Sequence, residues 1–162
     1  LETLAESGDD AVVQKVGANV STPLAILERI ATGPLTYGRV AGLARNHNIS
    51  RVIMEKLIAG TTNEANVTDA VRQELYKTYV LSALAANAAL PQDLFDRLAA
   101  IDSPEHFLVL AIINTPNANC DQMARLLVSE PSMENASLYN SIINKMTGKG
   151  CFMEDLEPQD KM

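Results

Sequence analysis

Apolar residues recur along this chain in a fixed frame. With Asn19, Asn46, Asn87 and Asn114 as origins, the residue six places earlier is Val13, Val40, Leu81 or Leu108, and the residue three places earlier is Val16, Leu43, Leu84 or Ala111. Eight and eleven places later stand Leu27 and Ile30, Met54 and Leu57, and Phe95 and Leu98; the fourth copy reaches Met123 and Leu126 only with one extra residue in its turn. Apolar residues three and four apart share one face of a helix, so each copy predicts a short helix before the Asn and a second one after it. The origins lie 27, 41 and 27 residues apart. Units this short cannot bury an apolar face alone and do so by stacking. No alternating run of strand type is present. The expected class is all-α, an α-solenoid of short two-helix repeats.

Turn chemistry supports the same division. Asn at a helix end tolerates the left-handed backbone that closes a helix, so the recurring Asn is expected to be structural, with Asn87→Ala costing about 1 kcal/mol. Thr22-Pro23 places a capping hydroxyl before a Pro suited to the first turn, and Asn119 with Gln122 resembles a capping box. Second helices are expected to stop at Gly33-Pro34, Gly60 and Asp102-Ser103-Pro104, where Ser103-Pro104 restarts the next helix.

The frame also divides the chain. Leu1-Glu2-Thr3-Leu4-Ala5 matches Leu27-Glu28-Arg29-Ile30-Ala31, which makes residues 1–9 a partial unit and suggests a fragment of a longer repeat protein. The one long interval holds an insertion over about 61–76: a loop through Glu64, then from Thr68 a helical pattern that lengthens the next first helix. Residues 132–147 read as a capping unit and 1–147 as the repeat domain. Residues 148–162 form an acidic tail, expected to be flexible, or else a short partner-binding motif or strap.

A unit carrying Asn, Thr-Pro and Leu-x-x-Leu-Ala resembles the leucine-rich repeat variant family and shades into HEAT-like α-solenoids. Asn19 to Ala31 carries the match best, then Asn87 through Pro91 to Ala99, while Asn46 to Ala59 matches in apolar positions only. The resemblance implies a superhelix, expected to be right-handed, in which α-helices alternate with short 3₁₀ helices. It also implies a scaffold, since such repeats share no common active site.

Composition narrows the function classes. Thirteen basic residues stand against 20 acidic ones, a net charge of −7, and Trp is absent. A phosphate-binding groove needs excess cations and a base-stacking platform needs aromatics, so no nucleic-acid partner is expected. The alternative on this fold class is a nucleic-acid-binding or DNA-glycosylase-like HEAT solenoid. No uninterrupted apolar run is long enough for a bilayer, so no membrane partner is expected either. Cys120 and Cys151 lie in no metal-ligand spacing and are read as two separate thiols rather than a disulfide, which makes reducing cytoplasm the expected compartment. Four Asn-x-Ser/Thr sequons, at Asn19, Asn48, Asn66 and Asn135, are read as turn chemistry rather than glycosylation sites. His47 and His106 have no second ligand at a metal-binding offset, and two thiols cannot hold an iron–sulfur cluster. No catalytic, cofactor or metal residue is expected.

One polar pattern remains. Second helices carry an acid, Glu2, Glu28, Glu55 or Asp96, and in three of these units a base beside it, Arg29, Lys56 or Arg97, with Arg125 taking that place in the fourth copy. Stacking would align these into columns that pair across neighbouring units or, through the bases, grip an acidic segment. The expected function is a non-catalytic protein–protein interaction scaffold of a bacterial-type cytoplasmic protein, binding a peptide or protein. Its candidate contact residues are Arg29, Lys56, Arg97 and Arg125, with Tyr76 and Tyr79 as aromatic anchors.

Overall fold

The computed structural model describes residues 2–33, 36–62, 70–101, 106–129 and 136–151, with side chains described throughout except at 61–62, 70–77 and 128–129. Residues 63–69, the restart signal Ser103-Pro104, the start of the capping segment and the tail from 152 lie outside the described residues, as do Asn66 and Asn135. All described regular structure is α-helical. Among the described residues ten helices follow in order: α1 (Glu2–Ala5), α2 (Asp10–Ala18), α3 (Leu24–Thr32), α4 (Tyr37–Arg45), α5 (Arg51–Thr62), α6 (Ala70–Ala85), α7 (Gln92–Ala99), α8 (His106–Asn114), α9 (Cys120–Ser129) and α10 (Ala136–Gly148). The even-numbered helices pack in sequence, α2 on α4, α4 on α6, α6 on α8 and α8 on α10, while α3, α5 and α7 each pack against even-numbered neighbours.

One continuous core runs through these contacts. Val13, Val16, Val40, Leu43, Leu81 and Leu84 of the first helices join Leu27, Ile30, Met54, Leu57, Phe95 and Leu98 of the second, all buried. The fourth helix pair corrects the frame. Val109 and Ile112 are fully buried whereas Ala111 is only half-buried. Thr115 donates its N–H to Ile112 O, as Asn19, Asn46 and Asn87 do to Val16, Leu43 and Leu84. The helix-ending position is therefore Thr115, not Asn114. Met123 and Leu126 then fall eight and eleven residues later with no extra residue in the turn; that residue lies before α8.

Three further expectations are corrected by local geometry. Asn19 (φ −73°, ψ 115°) and Asn46 (φ −85°, ψ 123°) are extended rather than left-handed. The Thr22 hydroxyl is buried and donates backwards to Val16 O at 2.6 Å instead of capping α3, whose N-cap position is taken by Pro23. Helix α5 runs through Gly60 to Thr62. A single Gly costs a helix interior only about 1 kcal/mol, which the buried Leu57 and Ile58 face offsets. The capping box forms as expected: Asn119 N–H donates to Gln122 Oε1 at 3.0 Å and Gln122 N–H to Asn119 Oδ1 at 2.9 Å. Helix α6, with 16 residues against nine in α2 and α4, is the longest described.

Cys120 and Cys151 form a disulfide, which overturns the reading of two separate thiols. Helix α10 packs on α9, and its C-terminal turn returns the chain to the start of α9. That turn is a Schellman closure: Cys151 N–H donates to Met146 O and Gly150 N–H to Thr147 O, with Gly150 at φ +75°. Lys149 adds a second tie, its Nζ donating to Pro116 O (2.9 Å) and Ala118 O (2.5 Å). The pairing removes the thiol argument for a reducing compartment.

The closest backbone approach joins α2 to α4. A Cβ on Gly42 would stand 2.6 Å from Gln14 O, and one on Gly17 would stand 3.3 Å from the Gly42 backbone. A backbone oxygen cannot rotate away, so Gly42→Ala is expected to force the two helices apart and destabilise the protein by about 2 kcal/mol in denaturant titration.

Candidate functional site

Two features stand out on the even-numbered helices: an inter-helix ladder of carboxamides and an exposed aromatic ridge. In the ladder, Asn46 Nδ2 donates to Gly17 O (2.7 Å) and Asn19 O (2.9 Å), and Asn87 Nδ2 donates to Ala44 O (3.0 Å) and Asn46 O (3.1 Å). The same side chains turn their Oδ1 to their own loops, accepting from Asn48 N at 2.8 Å and Ala89 N at 3.0 Å. Each Asn thus satisfies the open carbonyls at the end of the preceding first helix and shapes its own turn. Both are almost fully buried. Asn48 Nδ2, the glycosylation-type nitrogen of one sequon, donates to Val20 O at 2.5 Å.

The ridge consists of Tyr37 on α4, Tyr79 on α6 and Phe107 on α8. Tyr37 and Tyr79 meet edge to face with centroids 6.4 Å apart, and Tyr79 stacks on Phe107 at 6.1 Å. Their exposures of 44%, 43% and 56% leave much of this aromatic surface in water. Two depressions adjoin the ridge, one at Tyr79 and one at Phe107, and share Ala86 and Asn87. One, of about 380 Å³, is bounded by Arg45, His47, Tyr79 and Ser82; the other, of about 450 Å³, lies between the ends of α6 and α8. Stacked aromatics supply large contact area with little rotamer entropy to lose, the property that makes them anchors in interfaces.

The predicted contact residues divide. Tyr79 is the centre of the ridge. Tyr76 lies on α6, but its side chain is outside the described residues. The bases stand on the odd-numbered helices, whereas the ridge is built on α4, α6 and α8. Arg29 reaches back to Glu6 at 3.1 Å and Glu2 at 3.8 Å, and Lys56 Nζ donates to Ala31 O at the end of α3. Those two cations therefore serve contacts between neighbouring helix pairs. Arg97 and Arg125 are exposed and make no ion pair among the described residues. Asp96 accepts from Gln92 at 2.8 Å and from Gln122 at 2.7 Å, the latter an amide contact between α7 and α9.

Sequence patterning missed Tyr37 and Phe107. With Thr115 as the fourth origin, Tyr79 and Phe107 both stand eight residues before the helix-ending position, and Tyr37 stands nine before its own. The wrong origin hid that recurrence. Sequence reading also missed Arg51, which joins α5 to α7 by donating Nη1 to Asp93 Oδ1 (2.9 Å) and Nη2 to Asp93 Oδ2 (2.5 Å) while its Nε meets Glu55 at 2.8 Å. The hydrogen bond from Arg51 holds the Asp93 carboxyl below its usual range. A depressed carboxylate contributes stability above its unfolded value and loses it as pH falls through the folded one. Arg51→Ala is therefore expected to return the Asp93 midpoint upward to the ordinary Asp range, read by carboxyl-carbon NMR. The effect on stability should be small, because the pair is exposed and screened.

Among the described residues no group of three or more His, Cys, Asp or Glu could hold a metal ion, and no helix is long and apolar enough to cross a membrane. No protein family, no characterised protein and no solved structure matches the chain.

Proposed function

We propose that this chain is a non-catalytic protein–protein interaction scaffold, an α-solenoid of stacked helix pairs that binds a peptide or protein partner along its even-numbered helices. The observation that carries this reading is the ridge Tyr37–Tyr79–Phe107. Three helices from three successive pairs contribute one exposed ring each, and Tyr79 meets both Tyr37 and Phe107 beside two adjoining depressions. The kinship with leucine-rich repeat variant or HEAT-like arrays is part of the proposal. It rests on the apolar frame and on the in-order packing of the even-numbered helices. Tyr79 remains an anchor in this reading; Arg97 and Arg125, the two candidate bases with neither an ion pair nor a side-chain hydrogen bond among the described residues, form a secondary contact strip. Arg29 and Lys56 are assigned to coupling between helix pairs instead.

A photo-reactive benzoylphenylalanine at Tyr79 is expected to cross-link a defined partner in the native host, and one at the exposed Val52 of α5 is not. Tyr37→Ala with Phe107→Ala should abolish the cross-link while circular dichroism stays unchanged. Retention of the cross-link in that variant, with its loss in Arg97→Glu plus Arg125→Glu, would move the contact surface to the odd-numbered helices. The nucleic-acid alternative has its own signature, an affinity that falls steeply with salt. Fluorescence anisotropy with duplex and single-stranded oligonucleotides at low salt is expected to show no binding.

A further inference from the structure

The carboxamide ladder stops one step early. The carbonyl pairs Gly17/Asn19 and Ala44/Asn46 each receive an Asn amide from the next helix pair. The corresponding pair Ala85/Asn87 receives none from the described residues. Its donor should come from position 115, which carries Thr, and the Thr115 hydroxyl donates at 3.1 Å to Ile112 O of its own helix. The neighbouring Asn114 is exposed and spends its amide on Leu110 O at 2.8 Å. Among the described residues, Ala85 O, past the last N–H of α6, has no donor, and Asn87 O accepts only the Leu90 N–H at 3.0 Å. The depression of about 450 Å³ lies here, bounded by Ala85, Ala86, Asn87 and Ala88 on one side and Leu110, Ala111 and Thr115 on the other, with Phe107 beside it.

We infer that this groove is a binding site for an extended polypeptide segment bearing an Asn or Gln side chain, whose NH₂ group takes the vacant place in the ladder. This rests on the interaction-scaffold reading and specifies what one part of the surface recognises. The chemistry of the occupant is displayed twice in the same chain, where a single NH₂ group bridges two carbonyls two residues apart. A carboxylate has no donor and would face two carbonyl oxygens. An ammonium could donate, as Lys149 does to Pro116 and Ala118 at the solvent-facing end, but the groove is lined by no acid to offset its desolvation. The Ala methyls, Leu110 and Phe107 supply apolar contact for the residues flanking the amide. A backbone that ends a helix with an unpaired carbonyl gains from a ligand that completes it.

The test uses the isotope-labelled chain and the peptide Leu-Ala-Ala-Asn-Ala-Ala-Leu-Pro, a copy of residues 84–91, beside versions with Asp or Leu in place of Asn. NMR titration is expected to shift the backbone signals of residues 85–88 and 110–117, with the Asn peptide binding at least tenfold tighter than the other two. Thr115→Asn should supply the missing amide from within, raise the melting temperature and weaken the Asn peptide at least tenfold. Ala88→Trp, at an exposed position on the groove wall, should weaken it as well. Equal binding of the three peptides, shifts confined to other surfaces, or no shifts up to millimolar peptide would each overturn the inference. None of these results decides the scaffold reading, which is judged by the cross-link at Tyr79.

Discussion

Asn87→Ala is expected to destabilise the protein by about 3 kcal/mol, well beyond the roughly 1 kcal/mol that turn chemistry alone predicts for such a residue. Three hydrogen bonds disappear together: two from Nδ2 to Ala44 O and Asn46 O, and one accepted by Oδ1 from Ala89 N. The site is almost fully buried, so the two abandoned carbonyls face a small void rather than bulk water. Asn87→Asp should be worse, because it keeps the acceptor but sets a carboxylate against two carbonyl oxygens. Asn19 provides the control. It is exposed and serves its own turn through Ser21 N at 2.9 Å, so Asn19→Ala should cost about 1 kcal/mol or less. Urea titration of the three variants checks the ranking, and equal losses for Asn19→Ala and Asn87→Ala would remove the ladder's energetic role.

Reduction of Cys120–Cys151, or the double substitution Cys120→Ser with Cys151→Ser, is expected to cost about 3–4 kcal/mol. The bridge closes a loop spanning 31 residues, and loop-closure entropy for that length sets the magnitude. The loss should be local at first. Helix α10 is held by Leu138, Ile142 and Met146 on one face and by the Lys149 contacts and the disulfide at its end. Hydrogen exchange in the reduced protein should therefore rise in α10 before α4 or α6. A melting curve unchanged by reductant would show that packing alone secures this helix. Since disulfides persist in oxidising compartments, the bond also counts against the cytoplasmic expectation.

The apolar frame was legible because helical spacing and burial have one cause. Every residue six or three places before Asn19, Asn46 and Asn87 is buried, and so are those eight and eleven places after. The fourth copy misled because Asn114 and Thr115 are adjacent, and only the burial of Ile112 over Ala111 and the Thr115 N–H bond to Ile112 O choose between them. Side-chain direction was less accessible. Thr22 and the ladder Asn residues bond to groups 6, 29 and 43 residues away, so turn propensities, which describe neighbours, could not assign them. The disulfide depended on α10 folding back along α9, a tertiary event with no local signature. The ridge was legible at Tyr79 alone, since the three rings meet only when α4, α6 and α8 lie side by side.

The ladder's chemistry has a bearing on how neighbouring helix pairs respond to their medium. At the C-terminal ends of the even-numbered helices they are coupled by neutral amides, which neither titrate nor attract counterions, while at the start of α2 the Asp10 carboxylate accepts from Thr36 and Gly38 at the start of α4. Along the odd-numbered helices they are coupled partly by exposed charges, Arg29 with Glu2 and Glu6, and Arg51 with Asp93. Added electrolyte should loosen the second set and leave the first untouched. The two sides of the packed helices are then expected to respond differently, the amide-coupled side holding its spacing while ionic strength tunes the other.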